Sequence, residues 1–294
     1  MIVPAGPSPE GRWKMLAAAG GFGVDNRPIG VFDSGLGGLT AVRELQRLLP
    51  GEDIIYFGDT GRVPYGGRSR DTIIRYARQD VAFLRTFDLK AIVIACGTVS
   101  TTALDVLAAE NDIPVWGVVE PAAAAAAAAT RNGRVGLIGT QATIRSGAYE
   151  RCIAQAAPRT EVMAAACPLF VPLVENGRFR RGDVVVETVA GEYLAPFRAA
   201  GVDTLVLGCT HYPLLTEVIG HCMGPKVTLI DVGRQCADAV AGHLRDRDAL
   251  GQPGRTGESR YYVSDSAEDF SRLASTFLGW DVAQAVEQVD ISQY

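Results

Sequence analysis

Thr204-Leu-Val-Leu-Gly-Cys-Thr-His-Tyr-Pro-Leu-Leu215 is the stretch from which the fold is read. Apolar and β-branched residues run into Gly208, and then a thiol, a hydroxyl and an imidazole follow at consecutive positions. A continuous apolar run ending in small and polar residues predicts a buried parallel strand meeting its loop. Ligands of open α/β sheets bind just beyond the carboxyl ends of such strands. Cys209, Thr210 and His211 therefore stand where chemistry is usually done. Taken alone, Cys209 reads equally well as a small buried hydrophobe.

An echo alters that balance. Lys90-Ala-Ile-Val-Ile-Ala-Cys-Gly-Thr-Val-Ser100 is again a buried apolar strand, a small residue and a cysteine, with Thr98 beside it. A second pair recurs as well. Ile29-Gly-Val-Phe-Asp-Ser34 aligns with Val135-Gly-Leu-Ile-Gly-Thr140, 106 residues apart, and the two cysteine strands are 113 apart. Two motifs repeated in the same order at nearly the same spacing describe two halves of one design. The predicted fold class is α/β: two pseudo-symmetric parallel-sheet α/β domains with the active site in the cleft between them.

The intervening chain fits that plan. Thr40–Leu49 has helical spacing behind the Asp33-Ser-Gly-Leu-Gly-Gly38 turn, whose order and acidic residue do not suit a dinucleotide. Strand Ile54–Phe57 leads to a long turn-rich loop, Gly58–Arg68, carrying Tyr65 between Pro64 and Gly66, and such loops are often functional. A helix is expected over 71–87, and Ser100 and Thr101 are expected to cap the helix bearing Ala103, Val106 and Leu107. Strand 113–119 ends at Glu120-Pro121 and eight alanines, Ala122–Ala129, which favour a helix stopped by Asn132-Gly133. Helices over 183–200 and 234–250, a strand over 227–231, a plain linker over 251–257, a strand over 260–263 and a Ser266-capped helix ending near Gly279 complete the chain.

Composition excludes several classes. The 294 residues are 48% hydrophobic and 21% charged, as in an ordinary soluble globular protein. A net charge of −5 without a basic block argues against nucleic acid as a partner. No apolar run approaches a membrane span. The six cysteines show no C-x-x-C spacing and read as reduced thiols of a cytoplasmic protein. With three scattered histidines there is no zinc spacing, so no metal site is expected. Residues 1–27 carry a faint signal-peptide pattern interrupted by glycines, and a loosely attached extension is the preferred reading.

Two cysteines at equivalent strand ends of two halves face a common pocket from opposite sides. One thiolate removes a proton from a carbon while the opposite thiol delivers one to the other face, which is racemisation or epimerisation. The weak acidity of such a carbon calls for hydroxyl and backbone donors, and Ser34, Thr98, Thr140 and Thr210 stand where they are needed. A pyridoxal cofactor requires a lysine at a strand end. Lys14, Lys90 and Lys226 all lie elsewhere, so no cofactor is expected.

Several motifs together bring the chain to a known family. Phe32-Asp-Ser-Gly-Leu-Gly-Gly38, Tyr56-Phe-Gly-Asp-Thr60 with Pro64-Tyr-Gly66, Ala95-Cys96, Gly139-Thr140 with Thr143, Pro168-Leu-Phe-Val-Pro-Leu-Val-Glu175 and Gly208-Cys-Thr-His-Tyr-Pro213 follow one another. In these the chain resembles the glutamate racemases of the cofactor-independent Asp/Glu racemase superfamily, from about Ile29 to Gly279. The resemblance implies interconversion of L- and D-glutamate by Cys96 and Cys209, supplying D-glutamate for peptidoglycan. It implies that Asp33 and His211 assist the thiols and that Glu175 is an auxiliary acid. It also implies a substrate site lined by Asp33, Ser34, Pro64, Tyr65, Gly66, Gly97, Thr98, Thr140, Thr143, Thr210 and His211. Domains at 28–120 plus 231–294 and at 121–230 follow from it and from the repeat, with 1–27 as an N-terminal extension. A homodimer is a common assembly in the family.

One position departs from the pattern. The family usually has asparagine after the first thiol, where this chain has Gly97; glycine removes a side-chain contact and leaves the backbone N–H. Alternative readings are therefore a racemase for aspartate or another amino acid, a single-thiol decarboxylase or isomerase, or an inactive binding or regulatory relative. The intact second thiol argues against single-thiol chemistry.

Overall fold

A computed structural model describes residues 24–282 and 285–294, so the expected extension lies outside the described residues up to position 23. In chain order the elements begin β1 (Ile29–Asp33), α1 (Leu39–Leu48), β2 (Ile54–Gly58), α2 (Arg70–Leu84), β3 (Ala91–Ile94), α3 (Gly97–Thr102), α4 (Leu104–Glu110), β4 (Val115–Gly117) and α5 (Val119–Ala129). The second repeat supplies β5 (Arg134–Gly139), α6 (Gln141–Ser146), α7 (Ala148–Ala156), β6 (Glu161–Ala166), α8 (Phe170–Glu175), α9 (Val184–Ala199), β7 (Thr204–Leu207), α10 (Thr216–Met223) and β8 (Thr228–Asp231). The chain closes with α11 (Val232–Asp246), β9 (Ser259–Val263), α12 (Ala267–Leu278) and β10 (Val286–Gln288).

Among the described residues the strands form two sheets, ordered β10-β9-β2-β1-β3-β4 and β6-β5-β7-β8, with every pairing parallel. The core of the first sheet, β2-β1-β3-β4, has the same order as the whole of the second. β1 therefore corresponds to β5 and β3 to β7, as the repeat predicts. Strands such as β1, β3 and β7 are buried at every position, which is why they read as unbroken apolar runs.

Register then gathers the chemistry. Phe32 pairs with both Phe57 and Ile94, which brings Asp33 and Ala95-Cys96 to one carboxyl edge. Ile138 pairs with Leu207, which sets Gly139-Thr140 beside Gly208-Cys209. Helix α11 packs against α1 and α5, so the segment leaving the second sheet returns over the first. A Cβ at Gly233 would meet Ala41 Cα at 3.2 Å, and the missing side chain is what allows α11 to lie so close to α1.

Several local expectations are corrected. Ser100 and Thr101 lie inside α3 and do not cap α4; Ser100 Oγ instead donates to Ile94 O and accepts from Val118 N. Helix α5 ends at Thr130 in extended backbone, three residues before Gly133, which does take a left-handed φ of 75°. The 251–257 segment is bound to the first sheet and is no plain linker. Gly251 N donates to Glu52, Arg255 pairs with Asp53, and Gly257 N donates to Pro50 O. β6, α6, α7, α8, α10 and β10 have no counterpart among the expected elements. The Glu-Val-Met-Ala-Ala-Ala of β6 carries helix-favouring alanines, and pairing along all of β5 overrides that propensity.

Candidate active site

Cys96 is the N-cap of α3, and Cys209 follows β7 in the same way that Cys96 follows β3. Both are buried, at 5% and 7% exposure. Each thiol has a different companion. Ser34 Oγ lies 3.3 Å from Cys96 Sγ, and Asp33, wholly buried behind it, accepts from Gly35 N at 2.9 Å. Burial and the Asp33 carboxyl push the Cys96 thiol up to about 12, although the Ser34 contact works the other way. Asp33 is itself raised by burial, against the opposing pull of His211 and the N–H groups of Gly38 and Gly35.

On the other side His211 Nδ1 lies 3.9 Å from Cys209 Sγ, while Nε2 meets Glu175 Oε1 at 3.0 Å. Burial disfavours an imidazolium here, but Cys209 and Glu175 outweigh it and lift His211 to about 10. His211 thus carries a positive charge at neutral pH. Glu175 closes α8 and reaches the site at the partly exposed rim.

The halves are stitched together across the cleft. Thr98 Oγ1 is 3.1 Å from Thr140 Oγ1, and Thr140 in turn donates to Thr143 at 3.0 Å and caps α6. Thr210 Oγ1 donates to Asp33 at 3.4 Å, and Thr40 Oγ1 donates to Thr210 O at 2.9 Å. Glycines permit this closeness. A Cβ on Gly37 would strike Thr210 Oγ1 and His211 Nδ1, and one on Gly97 would come 2.8 Å from Gly208 O. The chain is thus built around glycine where the two thiol loops approach.

The 58–68 loop forms two short 3-10 turns, Thr60–Arg62 and Tyr65–Gly67. Pro64 is exposed at its head, and Gly66 faces Thr140 across the cleft, a Cβ there lying 3.5 Å from Thr140 Cβ. Tyr65 is buried, and its hydroxyl is directed at Asp59 and Asp80. Sequence reasoning did not single out Thr40, Arg62 or Asp80. Asp80 sits within α2, where nothing in the local pattern distinguishes it from a solvated helix face.

These residues thus unite two thiols, a buried carboxyl, an imidazolium and the hydroxyls of Ser34, Thr98, Thr140, Thr143 and Thr210 at one seam, a set suited to moving a proton between two faces of a small carbon acid. Comparison with known proteins agrees. The family model described as Asp/Glu/Hydantoin racemase matches residues 30–240. A glutamate racemase of Geobacter metallireducens is 50% identical over 253 residues, 86% of this chain and 93% of that protein. The structure of a glutamate racemase isoform from Bacillus anthracis superposes with a TM-score of 0.85 at 37% identity, covering 90% of this chain and 98% of that one. A Francisella tularensis glutamate racemase in complex with D-glutamate gives 0.84 at 40% identity, covering 92% and 100%. The chain belongs to the Asp/Glu/Hydantoin racemase family.

Proposed function

We propose that this protein interconverts L- and D-glutamate without a cofactor, with Cys96 and Cys209 as the two proton carriers. The observation that carries this reading is the placement of the two thiols at corresponding strand ends, β3 and β7, of two sheets sharing one strand order. The glutamate racemase names among its relatives and the D-glutamate bound by the Francisella protein support glutamate as the substrate.

The chemistry follows from the surroundings. One sulfur, acting as the thiolate, takes the α-proton as the C–H bond breaks, and the released electron pair moves into the substrate carboxylate. That pair returns to the carbon as the opposite thiol gives its proton to the other face, which forms a new C–H bond with inverted configuration and leaves the second sulfur as the thiolate. The hydroxyls of Ser34 and Thr98 steady the developing oxyanion, joined by those of Thr140 and Thr210 once they turn from Thr143 and Asp33. Asp33 orients the Cys96 side, while the His211–Glu175 pair offers positive charge to Cys209 Sγ. Pro64, Gly66, Gly97 and Thr143 complete the lining, with Tyr65 entering it through its backbone because its hydroxyl is engaged by Asp59 and Asp80. In the same reading the domains are 28–120 plus 231–294 and 121–230, and the division of strands between the sheets supports this. D-glutamate made by a cytoplasmic enzyme would serve peptidoglycan synthesis, and a homodimer is the assembly to test. Among the described residues no helix is long and apolar enough to cross a membrane.

A circular-dichroism assay with L-Glu, D-Glu and L-Asp tests the reading. Glutamate of either hand should lose its optical activity, and solvent deuterium should enter the product's α-position. Cys96→Ala and Cys209→Ala should each abolish racemisation, and near-normal turnover by either would overturn the two-thiol scheme. A second reading, racemisation of aspartate or another amino acid, is favoured by Gly97, which offers no side chain to the substrate. Faster turnover of L-Asp than of glutamate would establish it, and no turnover of any amino acid would point to a binding relative.

A further inference from the structure

Beneath the turn that carries Gly66 lies a cluster that the racemisation chemistry does not use. Asp59 and Asp80 are both wholly buried, at 0% exposure. Asp59 accepts from three donors: Ser264 Oγ at 2.7 Å, Arg62 Nε and the Tyr65 hydroxyl. Asp80 Oδ1 accepts from Arg62 Nη2 at 2.8 Å, and its Oδ2 lies 3.2 Å from the Tyr65 oxygen. Arg62 also donates to Gln79 and sits 4.2 Å over the ring of Tyr76.

Proton counting decides how this cluster works. The Tyr65 hydroxyl has one proton, and its tighter contact is with Asp59. The contact with Asp80 Oδ2 then needs a proton from Asp80 itself. One guanidinium can balance only one of two carboxylates in a dry interior, and a second buried charge there would stand unpaired. Burial, and then the neighbouring Asp59, push the Asp80 carboxyl well above its usual range, in keeping with that count.

We propose that Asp80, Tyr65 and Asp59 form a hydrogen-bonded latch under Arg62, and that this latch, by holding the 60–68 turn with Gly66 against Thr140, positions the substrate site. Asp80 donates to the Tyr65 oxygen, Tyr65 donates to Asp59, and Arg62 joins both carboxyl groups. Tyr65 is thus a positioning residue, its buried hydroxyl engaged by Asp59 and Asp80. Releasing the latch lowers the fraction of molecules with the turn in place. Apparent substrate affinity falls with that fraction, while turnover of bound substrate is preserved. The inference rests on the glutamate racemase reading for its kinetic arm only.

The test compares Tyr65→Phe, Asp59→Asn and Asp80→Asn with the parent by steady-state racemisation and by amide hydrogen exchange of residues 60–68. Tyr65→Phe should raise KM for glutamate about ten-fold and leave kcat within about two-fold. It should also speed exchange in the turn. Asp59→Asn should do at least as much. Asp80→Asn should stay near the parent in both measurements, because a carboxamide presents oxygen to Arg62 and N–H to Tyr65 just as a carboxylic acid would. Asp80→Asn that disturbs KM and exchange as strongly as Tyr65→Phe would overturn the latch, and so would a Tyr65→Phe protein indistinguishable from the parent. If Asp59→Asn does not fold, the contrast between the other two variants decides alone. A parent that leaves glutamate unchanged would defeat the racemase reading, and the exchange pattern would still decide the latch.

Discussion

Cys96 and Cys209 occupy corresponding positions, yet the residues beside them differ in kind. Cys96 has a buried carboxyl behind it and Cys209 has an imidazolium, so the two directions of proton transfer start from unlike surroundings. His211 also ties the site to stability. Its folded value of about 10 exceeds the usual 6.5, so the folded protein holds this proton more tightly than the unfolded chain. The stabilisation is complete below about pH 6.5 and is lost as pH rises through about 10, with a slope of up to about 1.4 kcal/mol per pH unit. Urea unfolding followed from pH 6 to pH 10 should show this decline. Glu175→Gln should flatten it, since the pair partner of Nε2 is then neutral. An unchanged slope in that variant would remove Glu175 from the account.

Among the elements, α12 begins and ends where the sequence expects it. Ser266 accepts from Asp269 N at the start of α12, and Gly279 ends that helix with a φ of 91°. Ser266→Ala should therefore cost about 1 kcal/mol, measured by urea unfolding, with racemisation kinetics unaltered. The expected caps at Ser100 and Thr101 failed for a tertiary reason. Cys96 already starts a helix there, and Ser100 is recruited to join the end of β3 to Val118. β6 lacks a local signature because half of its residues are alanines, and its strand pairing is supplied by β5.

For the molecule as a whole, parallel strands put all the thiol chemistry at one end of the sheets and leave the other end free for anchoring. Lys90 lies at that other end. It is buried against Glu52 at 2.5 Å and donates to the carbonyls of Asp25 and Ala249, so it joins the start of β3 to the segment before β1 and to the chain after α11. Removing one member of such a pair leaves a buried charge unmatched. Lys90→Met should thus destabilise by about 3–5 kcal/mol in urea unfolding. The same role explains why this lysine takes no part in chemistry: it is at the wrong end of its strand and is fully engaged.

The sequence alone determined the two-sheet plan, the pairing of Cys96 with Cys209 and the residues flanking them, because buried strands and the repeated motifs leave a local signature. Glu175 and His211, distant in the chain, were linked to one site only through resemblance. The tertiary structure decided that they meet at 3.0 Å, that Thr98 touches Thr140 while Thr210 reaches Asp33, and that Gly37 and Gly97 lie against the opposite thiol loop. It also turned Tyr65 inward onto Asp59 and Asp80. Such contacts join residues far apart in sequence, and their energy depends on burial and on proton sharing, which no local pattern of residues records.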